Sequence, residues 1–290
     1  MAAKSDNEFS RLDEAARAGW LYYVAGNTQD EIARKLGVSR QSAQRLVSLA
    51  VSERLIKVRV DHPIAKCMVG IAQAGAAEME RHLKSSQPKI IAIGTGRALR
   101  ACVEQLPAMD CPQHRIVSLL GNMMSDGSAT AYNVIIRMAD RVNARHFPMP
   151  LPVFATTPEE RKLLHGQEPV RNILELARQA DVTFVGIGQM NESAQLVVDG
   201  FVTRDEAKSL NQMGAIGEIT SWVYDKDGKL IDGHINDRVA SAPLHADQNH
   251  PVFGIAVGEP KVPAIRGALR GRLINALITN EATAELLLNH

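Results

Sequence analysis

The chain has 290 residues, 45% of them apolar and 22% charged, with a formal net charge of +1 at pH 7. That length exceeds one typical domain and supplies a core, and the near-neutral balance excludes a uniformly basic nucleic-acid coat, so any DNA contact must sit on a local patch. Cys67, Cys102 and Cys111 are odd in number and lack metal-ligand spacing, which favours reduced thiols in a cytoplasmic protein over a disulfide framework or a metal site. The opening MAAKSDNEFS has no apolar signal core, and no apolar run approaches the roughly 18 residues of a membrane span, so no membrane partner is expected.

In chain order, Phe9, Leu12, Ala16, Trp20, Tyr23 and Val24 recur near helical spacing, which predicts a first helix over Phe9 to Ala25 with Trp20 and Tyr23 as core residues. Thr28 to Leu49 then reads as a helix-turn-helix. Thr28 and Glu31 form a capping box, Gly37 ends the first helix, and Val38 plugs the corner. Ser39 caps the second helix, whose Ala43, Leu46, Val47 and Ala50 face inward. Arg40, Gln41, Gln44, Arg45 and Ser48 therefore face outward, and that set suits DNA. Arginine forks onto guanine, glutamine pairs with adenine, and a serine at a helix start holds a phosphate. Between Arg34 and Val60 seven basic residues oppose the single acid Glu53, a local balance of 7 − 1 = +6. An ordinary helical hairpin would also bury the small residues, but it would not require both caps, the turn glycine and the basic face together.

LIKVRV at Leu55 to Val60 alternates as a short strand should, a wing on which Lys57 and Arg59 share one face toward a phosphate backbone. Cys67 to Leu83 is again helical. From Lys89 onward apolar runs alternate with helical stretches, the pattern of a parallel sheet flanked by helices. Strands are expected at Lys89 to Ile93, Arg115 to Leu120, Asp181 to Gly188, Glu218 to Tyr224, Val252 to Val257 and Ile274 to Ile278. Helices are expected at Arg97 to Gln105, around Thr130 to Asn143, as a pair from Pro158 to Ala180, at Val262 to Arg272 and at Glu281 to Leu288. HFPMPLP is read as an interruption, and DKDG at Asp225 to Gly228 as a turn. The domain organisation that follows is residues 1–62 as a winged helix-turn-helix head, 63–88 as a linker helix and 89–290 as an α/β effector body.

Two glycine-bearing strand ends carry the candidate chemistry of the body. In IAIGTGRAL the amides of Thr95, Gly96 and Arg97 converge at a helix start where an anion fits. GIGQM at Gly186 to Met190 lies on the same edge if both strands are parallel, and ligands favour that edge. GAIGEI, NDR at Asn236 to Arg238 and GEPK at Gly258 to Lys261 offer further donors. The glycines lack the third member of a dinucleotide fingerprint and the lysine of a nucleotide P-loop, and no HExxH, GxSxG or paired-cysteine motif is present. No cofactor, metal or catalytic residue is therefore expected.

Taken together, SRQSAQRLVSLA, LIKVRV, IGTGRAL, ADVTFVGIGQM, GAIGEITSWVYDKDG, NDRV and KVPAIRGALRGRLINALITNEATAELLL resemble the SorC family of sugar-responsive bacterial transcription regulators, also called the DeoR-like sugar-binding regulators. The likeness spans almost the whole chain. It implies a Rossmann-like effector domain similar to the sugar-phosphate isomerases, without their catalysis, that binds a phosphorylated sugar or polyol. By resemblance, Gly94, Thr95, Gly96 and Arg97 form the phosphate loop, Gly188 and Gln189 the facing pocket edge, and Lys261 matches the family lysine. GEPK departs from the family in carrying acid and proline where such regulators usually show a second glycine. The competing reading is a sugar-phosphate isomerase or aldolase-like enzyme with an accessory DNA-binding head, in which Lys261 is an amine catalyst. An operator-binding regulator needs paired heads, so a homodimer or homotetramer is expected.

Overall fold

The structure is a computed structural model that describes residues 3–23, 25, 27–53, 55, 68–124, 127–130, 132–233, 235–244 and 250–289. It divides into two compact units, Met1–Asp61 and His62–His290.

The first unit holds α1 (Ala3–Tyr23), α2 (Gln29–Leu36) and α3 (Arg40–Ser52). The Thr28 hydroxyl accepts from the Glu31 amide while the Glu31 carboxylate accepts from the Thr28 amide at 2.8 Å, so both ends of the capping box are closed. Hydrogen bonding to Thr28 also holds the Glu31 carboxyl below its ordinary range. Gly37 stops α2 in the left-handed region at φ 67°, where a side chain would be strained. The Ser39 hydroxyl accepts from the Ser42 amide and starts α3. Ile32, Ala33, Ala43, Leu46, Val47 and Ala50 form the core with Ala15 and Ala18 of α1. Thr28→Ala should cost about 1 kcal/mol locally and speed amide exchange in α2 of the intact protein about fivefold. Unchanged exchange would show that the cap is dispensable.

Trp20 and Tyr23 correct the sequence reading: they are 54% and 42% exposed. The buried stripe of α1 runs instead through Ala15, Ala18 and the partly buried Leu21. Small alanines let α3 approach closely, and this phase turns the large aromatics outward. The wing expected at Leu55 to Val60, with Lys57 and Arg59, lies outside the described residues apart from Leu55, as does Cys67.

The second unit begins with α4 (Met68–Leu83), followed by β1 (Ile90–Ile93), α5 (Arg97–Gln105), β2 (Arg115–Met123), α6 (Val134–Val142) and β3 (Arg145–Pro152). Next come α7 (Pro158–His165), α8 (Glu168–Arg178), β4 (Val182–Gly186), β5 (Gly188–Gln189), α9 (Gln195–Val198) and α10 (Arg204–Gln212). The unit closes with β6 (Ala215–Ile219), β7 (Trp222–Asp225), β8 (Val252–Ile255), α11 (Val262–Arg270), β9 (Ala276–Ile278) and α12 (Glu281–Leu288).

Six parallel strands form the main sheet in the order β3-β2-β1-β4-β8-β9. Strand alternation divides its side chains between two layers. Ile91, Ile93, Val182 and Phe184 pack with α4, α5 and α6, whereas Ile90, Ala92, Val185 and Ile187 pack with residues of α8 and α11. Burial on both faces explains the continuous apolar runs of these strands. Helix α4 is part of this core through Ile71, Ala76, Met79 and Leu83. Cys102 and Cys111 are free and buried, and burial pushes the Cys102 thiol up to about 12, so it is a packing residue at neutral pH.

HFPMPLP is a strand, not an interruption. It forms most of β3 at the sheet edge, where proline's missing N–H interrupts no second ladder. Glu218 to Tyr224 is likewise two strands rather than one. β6 and β7 form an antiparallel hairpin that joins β5 in a separate three-stranded sheet. The turn residues Thr220 and Ser221 have φ 47° and 73°, the primed geometry that normally calls for asparagine or glycine, so no turn signal marks it in the sequence.

Candidate effector cavity and DNA-binding face

From β1 the chain passes to β2 on one side, while β4 pairs with β1 on the other, so the strand order reverses between β1 and β4. Ligands of open α/β sheets bind in the crevice beyond the carboxyl ends at such a point. A cavity of about 410 Å³ lies there. Thr95, Gly96 and Arg97 follow β1 into it, Gly186 ends β4 there with Ile187 and Gly188 following, and Lys261 enters from the turn before α11.

Gly96 opens α5 at φ 115° without a side-chain cap, as α6, α8, α9 and α11 also start, whereas α2, α3, α7, α10 and α12 each start on a Thr, Ser or Asn side chain that accepts an amide. The first amides of α5 are thus left for another acceptor, at the positive end of a helix beside the exposed Arg97. Lys261 Nζ donates to the Ile187 carbonyl oxygen at 2.7 Å, which fixes the ammonium at the cavity wall. Burial lowers its pKa, with Arg97 adding to the effect and Glu218 opposing it.

Gly94 and Gln189 do not line the cavity. Gly94 makes room instead: a Cβ there would meet Thr220 Cγ2 at 3.2 Å. Gly188 lines the cavity and also clears space, since its Cβ would stand 2.1 Å from Glu218 Oε1. Gln189 pairs with Gly217 in the small sheet. Asn236 of NDR is buried and brackets the hairpin, accepting from the Val223 amide at 2.9 Å and donating to the Val223 and Ile231 carbonyl oxygens, both at 2.8 Å. Arg238 donates to Glu206 at 3.0 Å. NDR therefore serves the fold.

Sequence reading missed the acidic half of the cavity. Glu218, Asp199, Gln195 and Tyr132 all line it. Gln195 Nε2 donates to Asp199 Oδ1 at 2.6 Å, and the Tyr132 hydroxyl donates to Asp199 Oδ2 at 3.4 Å. Glu218 Oε2 accepts from the Ser221 amide at 2.9 Å. Burial pushes the Glu218 carboxyl up, against the lowering effects of the Ser221 amide and Lys261. The folded state then holds this proton more tightly than the unfolded chain, so Glu218 makes stability fall as pH rises from the ordinary carboxyl value of 4.5 through its raised folded value. Glu218→Gln should flatten that decline in urea unfolding across a pH series, and an unaltered slope would contradict the burial account.

In the first unit Ser39, Arg40, Gln41, Gln44, Arg45 and Ser48 are all exposed on α3, opposite its buried stripe. Arg40 Nε lies 3.6 Å from Asp30 Oδ1, an exposed pair that leaves the guanidinium at the surface. Among the described residues no cluster of His, Cys, Asp or Glu is arranged to hold a metal, and no helix is long and apolar enough to cross a membrane.

The "sugar-binding domain" family model matches residues 60–289. The erythritol catabolism regulatory protein EryD of Brucella abortus is 30% identical over 302 residues, covering 94% of this chain and 96% of that protein. The transcriptional regulator LsrR of Escherichia coli K12 is 29% identical over 318 residues, covering 99% of this chain and 98% of its own. The full-length sorbitol operon regulator SorC of Klebsiella pneumoniae superposes with a TM-score of 0.68 at 26% identity, over 96% of this chain and 99% of that one. These relatives are named as regulators rather than enzymes, and their matches run through head and body alike. The chain belongs to the SorC family of sugar-binding transcription regulators, with a helix-turn-helix head and a body built to hold a controlling effector.

Proposed function

We propose that the effector is a phosphorylated sugar or polyol whose phosphate sits at the start of α5, and that its binding alters operator recognition by the head in a cytoplasmic homodimer or homotetramer. One observation carries the phosphate: the uncapped amides of α5 share a cavity with Arg97 and Lys261. Backbone donors at a helix N-terminus flanked by two cations favour a dianion over a neutral hydroxyl. Asp199 and Glu218 supply acceptors for hydroxyl groups, while Leu196 and Phe201 give the carbon chain apolar wall. EryD and SorC are named for erythritol and sorbitol, which supports an acyclic polyol skeleton for the ligand of this chain as well.

On the DNA side, Arg40, Gln41, Gln44 and Arg45 enter the major groove, with Ser39 on a phosphate and Lys57 and Arg59 on the flanking backbone. Two heads roughly 34 Å apart would read a two-fold site. Of the span 63–88 expected to link head and body, α4 packs inside the body's core. Helix α4 packs against α5 so closely that a Cβ on Gly75 would meet Cys102 Sγ. An anion that tightens the start of α5 therefore acts on the helix that follows the head in sequence.

A thermal-shift panel of tetritols, pentitols, hexitols and their monophosphates tests this reading. A ligand at one hundred times its dissociation constant should add about 2.7 kcal/mol of stability. The phosphate esters should do so at lower concentrations than their parents, and equal shifts by the unphosphorylated parents would sink the phosphate assignment.

A further inference from the structure

Helix α1 carries two apolar stripes, and the core of the head uses one of them. Ala15 and Ala18 face that core, with Leu21 packed beside them. The other stripe recurs at helical spacing through Leu12, Ala16, Trp20 and Tyr23, and Phe9 continues it in the sequence. At 3.6 residues per turn its centre lies about a third of a turn round the helix from the buried alanines. Leu12 and Ala16 are half-buried, whereas Trp20 and Tyr23 are exposed. Tyr22 stands edge-on to Tyr23 with ring centroids 4.9 Å apart, which braces the aromatic end of the stripe. A single exposed apolar side chain is ordinary, but a periodic stripe over about three turns that ends in aromatic rings is the surface of a helix that packs on a partner.

The residues on and beside the stripe are self-complementary, which selects a second copy of this chain as that partner. A two-fold axis through Ala16 sets Leu12 of each α1 opposite the partner's Trp20 and brings the two small Ala16 side chains together, where the helices can approach closely. Asp13 and Arg17 are both exposed along one flank of the stripe. In an antiparallel pair that flank meets its own copy, so Asp13 comes within a turn of the partner's Arg17, and the reciprocal pair forms across the axis. We propose that α1 is the surface through which two heads pair, in antiparallel two-fold contact centred on Ala16. This rests on the reading of the protein as a homo-oligomer with paired heads, and it names the surface that pairs them. Helix α1 packs on the apolar side of α3, opposite Gln44 and Arg45, so pairing through its outer stripe leaves the DNA-binding face free.

Cysteine cross-linking of the full chain tests this, on a duplex selected from a random pool by the wild-type protein. Ala16→Cys should form a disulfide-linked dimer under mild oxidation roughly tenfold faster than Glu14→Cys, which is exposed on the side of α1 away from the stripe. Wild type, with Cys67, Cys102 and Cys111, sets the background. Asp13→Arg should slow the cross-linking of Ala16→Cys, and Arg17→Asp added to it should restore the rate. Trp20→Ala combined with Tyr23→Ala should melt near the wild-type temperature, since both rings are exposed, yet bind the selected duplex about tenfold more weakly and its isolated half-site unchanged. Side chains that merely stabilised the head would move the melting temperature instead of that ratio. Equal cross-linking of Ala16→Cys and Glu14→Cys overturns the proposal. So does an Ala16→Cys variant that stays unlinked although sedimentation shows two chains on the duplex, because the heads then pair through another surface. A wild-type chain that sediments on the selected duplex as a monomer removes the paired-head reading, and the α1 interface with it.

Discussion

Gln44→Ala and Arg45→Ala are each expected to weaken operator binding by roughly 1 to 3 kcal/mol while leaving binding to unrelated DNA nearly unchanged. Both side chains are exposed on the α3 face opposite Ala43, Leu46, Val47 and Ala50, so truncating them leaves the head's core intact. Each loses a pair of directed bonds to a base edge, and the base opposite it should become degenerate when selected operator sequences are compared. Lys57→Ala should behave differently, weakening all sequences alike and flattening the salt dependence by about one ion. Operator preferences that survive both α3 substitutions at fixed salt would exclude this helix as the reader of sequence.

The second large effect is expected at the anion end of the cavity. Arg97→Ala and Lys261→Met should each weaken a phosphorylated effector roughly 10- to 100-fold, in keeping with about 1.5 to 3 kcal/mol for a hydrogen bond to a charged group. The unphosphorylated parent should lose far less. Lys261 also donates to the Ile187 carbonyl oxygen, so methionine, which keeps most of the side-chain volume, separates the charge from the packing. Equal losses for phosphate ester and parent would mean that these cations hold hydroxyls and that the phosphate lies elsewhere.

The parts of the molecule that sequence reading captured are those whose signals are local. The capping box of Thr28 and Glu31, the Gly37 stop and the Ser39 cap occupy one short window, and each is realised as expected. The span Arg97–Gln105 likewise follows from a glycine start and helical spacing. Failures arose where tertiary context overrides a local rule. The prolines of β3 are compatible with a strand only because β3 is an edge, which no local pattern reveals. The apolar stripe that points Trp20 and Tyr23 inward is one position out of phase with Ala15 and Ala18, since alanines carry too little hydrophobic signal to set the phase. Glu218 reaches Lys261 and Asp199 only through the folded hairpin, and the turn that places it has neither asparagine nor glycine. A glutamate within the apolar GAIGEI run was the one available hint. The glycines of the two strand ends suggest ligand contacts in the sequence, yet Gly94 and Gly188 also make room for Thr220 and Glu218.

Control of the head by the cavity is tested most directly by operator titration at fixed salt, with and without the polyol phosphate found in the thermal panel. Wild type and the Thr95→Ala, Arg97→Ala double variant should bind operator equally in the absence of ligand, because neither side chain belongs to the head or to a core cluster. Ligand should shift wild-type operator affinity by roughly 5- to 150-fold, corresponding to about 1 to 3 kcal/mol of coupling, and should leave the double variant unmoved. A double variant whose operator affinity still responds to that ligand as the wild type does would contradict the account.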